Sequence, residues 1–347
     1  MKALYAYFGL LDLHTIDSPG HSLYQLGLMD SVRQSYNIDK FDFFSYYPEE
    51  ISQAAETLQS YPETKLGKIF SKYREDMISE YGITYNSLIS KIQNKEYDKL
   101  YLKARFRNLS TLQKKWKDAR MFEQIIETAL HVGYTQDQIV VLDTDLSLPV
   151  LFFKKYGSIV TLLVPSIQFP GISTRFLLEC VDANTSDYSK NKIAIFYGNI
   201  DTSKYKSGNS KSPILSQVIN YVSTIKNIGF TVISKEKDFI GLPEWTVGIK
   251  RNDRTTIWEA LEDSLIMINV TKEKYNEARF IPARIYEAMI FGMIPISYKF
   301  DFLNKTFSFE TIEDLEEIIK YLEECEPEDL KGAYLHFIND YINYTNV

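Results

Sequence analysis

The stretch that most restricts the fold is Phe280–Ser297, read Phe-Ile-Pro-Ala-Arg-Ile-Tyr-Glu-Ala-Met-Ile-Phe-Gly-Met-Ile-Pro-Ile-Ser. Pro282 suits a first helical turn, where its missing N–H costs nothing. Gly292 suits a helix end in the left-handed conformation, and Met293–Ser297 is an apolar run of strand length. The stretch therefore predicts helix, tight turn and short buried strand. Arg284 and Glu287 are three apart and share one helical face near the helix N-terminus. An Arg beside free backbone N–H groups suits a diphosphate, and a carboxylate one turn later can accept both hydroxyls of a ribose. A surface Arg–Glu pair on an amphipathic helix explains the spacing equally well. The Glu-Ala-x-x-x-Gly-x-x-Pro-Ile ending, Glu287 to Ile296, favours the functional alternative.

The same alternation of elements runs through the whole chain. Leu4–Leu10 reads as a strand, Ser22–Gln34 as a helix with a Leu23, Leu26, Leu28, Met29 and Val32 stripe, and Phe41–Phe44 as a second strand. That opening is a βαβ unit of a parallel sheet. It contains no Gly-x-Gly-x-x-Gly fingerprint. Residues 50–94 read as helical, Asp98–Lys103 and Ile139–Leu142 as strands around a helix Leu112–Val132, and Tyr156–Val164 as one more strand. Residues 181–191 are the most loop-like and divide a domain 1–180 from a second, 192–325, which restarts with the strand Lys192–Gly198. Further helices are expected at Ser212–Ile225, Asp253–Glu262 and Ile312–Glu324, and strands at Phe230–Ile233 and Leu265–Val270. A last helix within 326–347 is expected to pack back on the first domain. The predicted class is α/β, two Rossmann-like domains facing across a cleft.

Two loops carry candidate chemistry. Asp143-Thr-Asp145 follows the strand Ile139–Leu142, at the sheet edge where ligands bind in α/β folds. One carboxylate could cap the next helix, the pair could clamp Mg²⁺ or Mn²⁺ on a diphosphate, or one could serve as a catalytic base. Gly198 and Asn199, with Lys204, Lys206 and Lys211 behind them, suit a pyrophosphate; a solvated Lys/Ser/Gly loop is the plainer alternative. Net charge is −7, so the molecule as a whole does not advertise nucleic-acid binding. The run Lys91–Arg120 reverses that locally and interleaves Tyr101, Phe106 and Trp116. Cys180 and Cys325 have no metal or disulfide spacing, consistent with a reducing cytoplasm. The first residues are too short an apolar run for a membrane span.

The run Tyr275-Asn276, Phe280-Ile281, Arg284, Glu287 and Met289 resembles the donor-nucleotide motif of GT-B glycosyltransferases, more specifically that of the T-even phage DNA β-glucosyltransferase family. Thr144-Asp145-Leu146-Ser147-Leu148-Pro149 is similar to that family's Thr-Asp-x-x-Leu-Pro around its catalytic Asp. The resemblance implies a UDP-sugar donor held by Arg284, Glu287, Tyr275 and the Gly198–Lys211 loop. Ile249 would read the uracil through its backbone, Asp145 would be the base, and Asp143 would be its partner or a metal ligand. It also departs from the family: lysines stand where arginines hold the diphosphate, and His21 stands where a Glu touches the transferred sugar. Glucose and a pentose such as arabinose are therefore both expected donors. The implied acceptor is a hydroxymethylated pyrimidine, 5-hydroxymethylcytosine first, in double-stranded DNA. Lys103, Arg105, Arg107, Lys114, Lys115 and Lys117 would grip the DNA backbone. A UDP-sugar enzyme acting on a polysaccharide, lipid or small molecule would share the donor site without the basic face.

Overall fold

The computed structural model describes residues 1–7, 19–45, 63–80, 83–104, 117–144, 146, 148, 150–164, 171–183, 186–189, 192–198, 214–225, 227–234, 242–250, 254–271 and 273–345. The chain divides into two compact units, Met1–Thr15 with Gln25–Ser173, and Ile16–Tyr24 with Thr174–Val347. The loop-like residues 181–191 thus come after the start of the second unit.

The first unit is built from β1 (Ala3–Tyr7), α1 (Pro19–Ser35) from Gln25 onward, β2 (Phe41–Ser45), α2 (Lys65–Met77), β3 (Ile78–Glu80), α3 (Tyr85–Gln93), β4 (Lys99–Ala104), α4 (Lys117–His131), β5 (Ile139–Asp143), α5 (Val150–Tyr156) and β6 (Thr161–Leu163). Its parallel sheet runs β3-β2-β1-β4-β5-β6. All five residues of β1 and of β5 are buried, because a strand covered on both faces has no polar side to show. Phe122, Ile125, Ile126 and Ala129 repeat at helical spacing along α4 and share a core with Leu4, Leu100, Leu102 and Val141 of the strands. The predicted strand Tyr156–Val164 is mostly something else. Tyr156 is the last helical residue of α5, Ile159 and Val160 both donate to its carbonyl, and only Thr161–Leu163 is extended. Strand β3 is unforeseen because three residues with only Ile78 buried leave no apolar run to read.

The second unit comprises α6 (Thr174–Ala183), β7 (Ile193–Tyr197), α7 (Ile214–Thr224), β8 (Gly229–Ser234), β9 (Thr246–Lys250), α8 (Arg254–Asp263), β10 (Ile266–Asn269), α9 (Glu273–Glu277), α10 (Ala283–Ile290), β11 (Ile294–Tyr298), β12 (Ser308–Phe309), α11 (Ile312–Glu324) and α12 (Pro327–Thr345). Its sheet runs β12-β11-β10-β7-β8-β9, again parallel. Counted from β7, this is the same 3-2-1-4-5-6 order as in the first sheet. Both units are therefore Rossmann-like domains.

Pro295 inside β11 would ordinarily argue against a central strand. The ladder explains its presence. Ile294 N donates to Leu265 O on one side and Ser297 N to Phe307 O on the other, so position 295 faces β12. Strand β12 is two residues long and pairs only with Ser297 and Tyr298, so no ladder bond is lost. The C-terminal helix α12, set apart at 326–347 by the sequence, is counted with the second unit. There Tyr334 donates to Met289 O at 2.5 Å, and the Tyr341 ring meets that of Tyr286 edge-on at 5.7 Å.

Candidate functional site

Open α/β sheets bind ligands outside the carboxyl ends of their strands, where the strand order reverses. In the second domain that point lies between β7 and β10. Gly198 directly follows β7, and its N–H donates to Ile233 O at 2.9 Å. Nearby in the fold, α10 begins after Pro282, which takes the N-cap position with ψ 155° rather than the first helical one. Pro282 itself offers no side-chain cap to that helix start. At the other end Gly292 is left-handed (φ 71°) and Met293 N donates to Ala288 O at 2.8 Å, a Schellman-type close that sends the chain straight into β11. Helix, turn and strand stand as the sequence predicts.

Arg284 lies in the first turn of α10, its guanidinium carbon 5.6 Å from the centroid of the Phe196 ring in β7. That cation–π contact holds the cation next to the strand that Gly198 follows. Glu287, one turn on, is only 2% exposed. A carboxylate so placed needs donors to offset its lost hydration. The same domain carries side-chain hydrogen bonds between β10, α9 and β11 that the sequence did not reveal. Thr271 Oγ1 donates to Asn276 Oδ1 (2.8 Å), and Asn276 Nδ2 donates to Tyr298 O (3.1 Å). Asn269, the last residue of β10, donates from Nδ2 to Ser297 Oγ (3.2 Å). The available signal was a polar residue closing each apolar strand run, Ile266–Ile268 and Ile294–Ile296. Tyr275 sits on α9 with its ring 5.1 Å from that of Phe280, which fixes the chain just ahead of α10.

In the first domain the reversal falls between β1 and β4. Asp143 ends β5, is buried, and accepts from Leu148 N at 3.2 Å. It thus does what a loop-capping carboxylate does. Lys103, expected at a DNA backbone, is 5% exposed. Its ammonium donates to Gln25 Oε1 and lies 4.7 Å from the Tyr7 ring centroid, while Gln25 Nε2 donates to Tyr5 Oη at 2.7 Å. An ammonium buried under α1 does not present itself to a phosphate backbone, so Lys103 leaves the DNA-contact set. The reason is register: Lys103 pairs with Tyr7 inside the sheet. Other basic residues of that run also have internal partners. Lys91 pairs with Glu80 and Asp42, Lys95 donates to Gly133 O, and Lys99 covers the Tyr36 ring.

Ile249 is a buried residue of β9, paired with Ile233, and Trp245 just before that strand donates to Ser223 O. The stretch expected to read uracil is thus an edge strand. His21 belongs to the first turn of α1 and not to the loop before it. Asp145, Asn199, Lys204, Lys206, Lys211, Arg105, Arg107, Lys114 and Lys115 lie outside the described residues, as do the side chains of His21 and Lys117. Among the described residues, no group of three or more His, Cys, Asp or Glu could hold a metal ion, and no helix is long and apolar enough to cross a membrane.

Strand order defines the class, a chain of two Rossmann-like domains. No family model and no curated protein matches this sequence. Among solved structures, the Staphylococcus aureus MnaA co-structure with UDP aligns at TM-score 0.46 and 11% identity over 98% of this chain and 92% of that one. The spinosyn rhamnosyltransferase SpnG complexed with thymidine diphosphate aligns at 0.40 and 10% over 99% and 96%. Sucrose-phosphate synthase from Thermosynechococcus elongatus aligns at 0.42 and 9% over 99% and 95%.

Proposed function

We propose that this chain is a GT-B glycosyltransferase that moves a sugar from a UDP-sugar to the hydroxymethyl group of a modified pyrimidine, 5-hydroxymethylcytosine first, in DNA. The observation that carries the donor half is Arg284 seated over Phe196 beside the end of β7, with buried Glu287 one turn behind it. Arg284 and the loop after Gly198 hold the diphosphate, and Glu287 accepts the ribose hydroxyls. Asp145 takes the proton of the acceptor hydroxyl as its oxygen attacks the anomeric carbon. The bond from that carbon to the β-phosphate oxygen breaks, and UDP leaves with the pair. Displacement from one positioned base inverts the anomeric centre. The pyrimidine is turned out of the duplex to reach the base.

The DNA half is supported by the sequence resemblance and by the basic residues from Arg105 to Lys117. The test is UDP release with hydroxymethylcytosine DNA, unmodified DNA and no acceptor. Release confined to the first supports the proposal; equal release in all three refutes the DNA half. A second acceptor class, a polysaccharide, lipid or small molecule, gains weight from the internal partners of Lys91, Lys95 and Lys99 and the burial of Lys103. In that case transfer to a non-DNA acceptor proceeds with the same donor residues.

A further inference from the structure

Asn269 closes β10 next to the reversal point of the second sheet and is wholly buried. In register it pairs with Ser297, whereas Ile268 before it pairs with Ile296 and Phe196. Successive strand residues point to opposite faces. Asn269 and Ser297 therefore share the sheet face opposite to Phe196, the ring that carries Arg284. The amide is held at one end only: Nδ2 donates to Ser297 Oγ, and no described residue meets Oδ1. Turning the amide over does not remove the mismatch. Oδ1 would then accept from the Ser297 hydroxyl, and Nδ2 would be the unmet end.

A wholly buried amide with one unmet end is costly, and native interiors seldom keep one without a use. The group that completes it must suit either orientation. A hydroxyl does, because it both donates and accepts; a phosphate oxygen suits only the flipped amide. We infer that Asn269, fixed by Ser297, recognises a hydroxyl of the bound nucleotide sugar, an assignment that rests on the donor site proposed above. It positions the donor from the sheet face that Arg284 and Glu287 do not use. The hydroxyl belongs either to the ribose or to the transferred sugar.

The experiment compares wild type with Asn269→Leu and Asn269→Asp, by calorimetry and by thermal shift, using UDP and the UDP conjugates of glucose, galactose, xylose and arabinose. Leu matches the shape without polar atoms, so the unliganded variant melts at or above wild type while its ligand affinity falls about tenfold. Asp keeps an acceptor and retains most of the affinity. A loss already present with UDP assigns the ribose; a loss seen only with a conjugate assigns the transferred sugar. Unchanged affinity of Asn269→Leu for every ligand overturns the inference while leaving the donor site standing. So does an unliganded variant that melts well below wild type, which marks the amide as structural. Wild type binding none of the five ligands refutes the donor site itself, a result distinct from both.

Discussion

The two sheets share one strand order but furnish their reversal points with opposite chemistry. In the first, Tyr7 ends β1 and pairs with Lys103 near the end of β4, and Gln25 of α1 and Tyr5 complete a closed chain of contacts. In the second, β10 ends at the reversal point in Asn269, which pairs with Ser297 of β11, and α10 adds an anchored arginine and a buried carboxylate. One edge turns its polar atoms on itself; the other leaves one end of the Asn269 amide unmet among the described residues, on the sheet face away from Phe196 and Arg284. On the function proposed above, the same topology leaves nucleotide recognition to the second domain. On the same proposal the first domain supplies its chemistry from the loop after β5, where Asp143 accepts from Leu148 N and Asp145 follows two residues later in sequence.

The largest effect expected from this division is at that loop. Asp145→Asn should keep UDP binding and lose roughly 10²–10⁴ in turnover, the usual worth of a general base. Asp143→Asn should act instead through loop stability, with a smaller loss. Single-turnover rates beside UDP calorimetry check both. If Asp143→Asn is the more damaging change and Mg²⁺ or Mn²⁺ is obligatory, the metal clamp replaces the base and the contrast between the domains breaks.

In the second domain, Glu287→Ala should weaken UDP binding by roughly tenfold to a hundredfold, because the ribose hydroxyls lose a charged acceptor. Glu287→Gln keeps the shape and one acceptor and should lose less. Unchanged calorimetric affinity in a folded Glu287→Ala variant would make the residue part of the core.

How much of this was legible depended on whether a signal lay along the chain or across it. The helix, glycine and strand from Ala283 to Tyr298 follow from local rules, and the structure reproduces them. Apolar runs marked most strands of both sheets. What failed was anything decided by lateral neighbours. Lys103 reads as a surface cation until its pairing with Tyr7 places it under α1. Trp245–Ile249 shows no apolar run, yet β9 forms because β8 offers a ladder. Asn269 and Ser297 are 28 apart in sequence and become a pair only through register.

Charge on the first domain sharpens the comparison further. Neutralising Arg105, Arg107, Lys114 and Lys117 together should flatten the salt dependence of DNA binding, by about 0.9 for each phosphate no longer neutralised, with UDP affinity unmoved. Lys103→Met should leave the salt slope as it is, since a buried ammonium releases no counterion. Fluorescence anisotropy across a salt series tests the two together. A slope that Lys103→Met flattens would return the residue to the DNA-binding set.

The smallest effect concerns acid stability in the first domain. At the start of the first sheet, Asp42 accepts from Ser79 Oγ at 2.7 Å and pairs with Lys91 at 3.5 Å and Lys2 at 3.7 Å. Burial alone pushes its carboxyl up, but Ser79, Lys91, Tyr97 and Lys2 together hold it below the ordinary carboxylate value. A carboxyl depressed in the folded state stabilises at pH above its unfolded value and loses that contribution as pH falls through the folded one. The first domain should therefore shed stability below the normal carboxylate range, through protonation of Asp42. Asp42→Asn should remove that increment at neutral pH, by no more than about 1 kcal/mol given how exposed Lys2 is, and leave less to lose in acid. Urea unfolding at neutral and acid pH measures both arms. Equal acid losses in wild type and variant would move the acid-sensitive group away from β2.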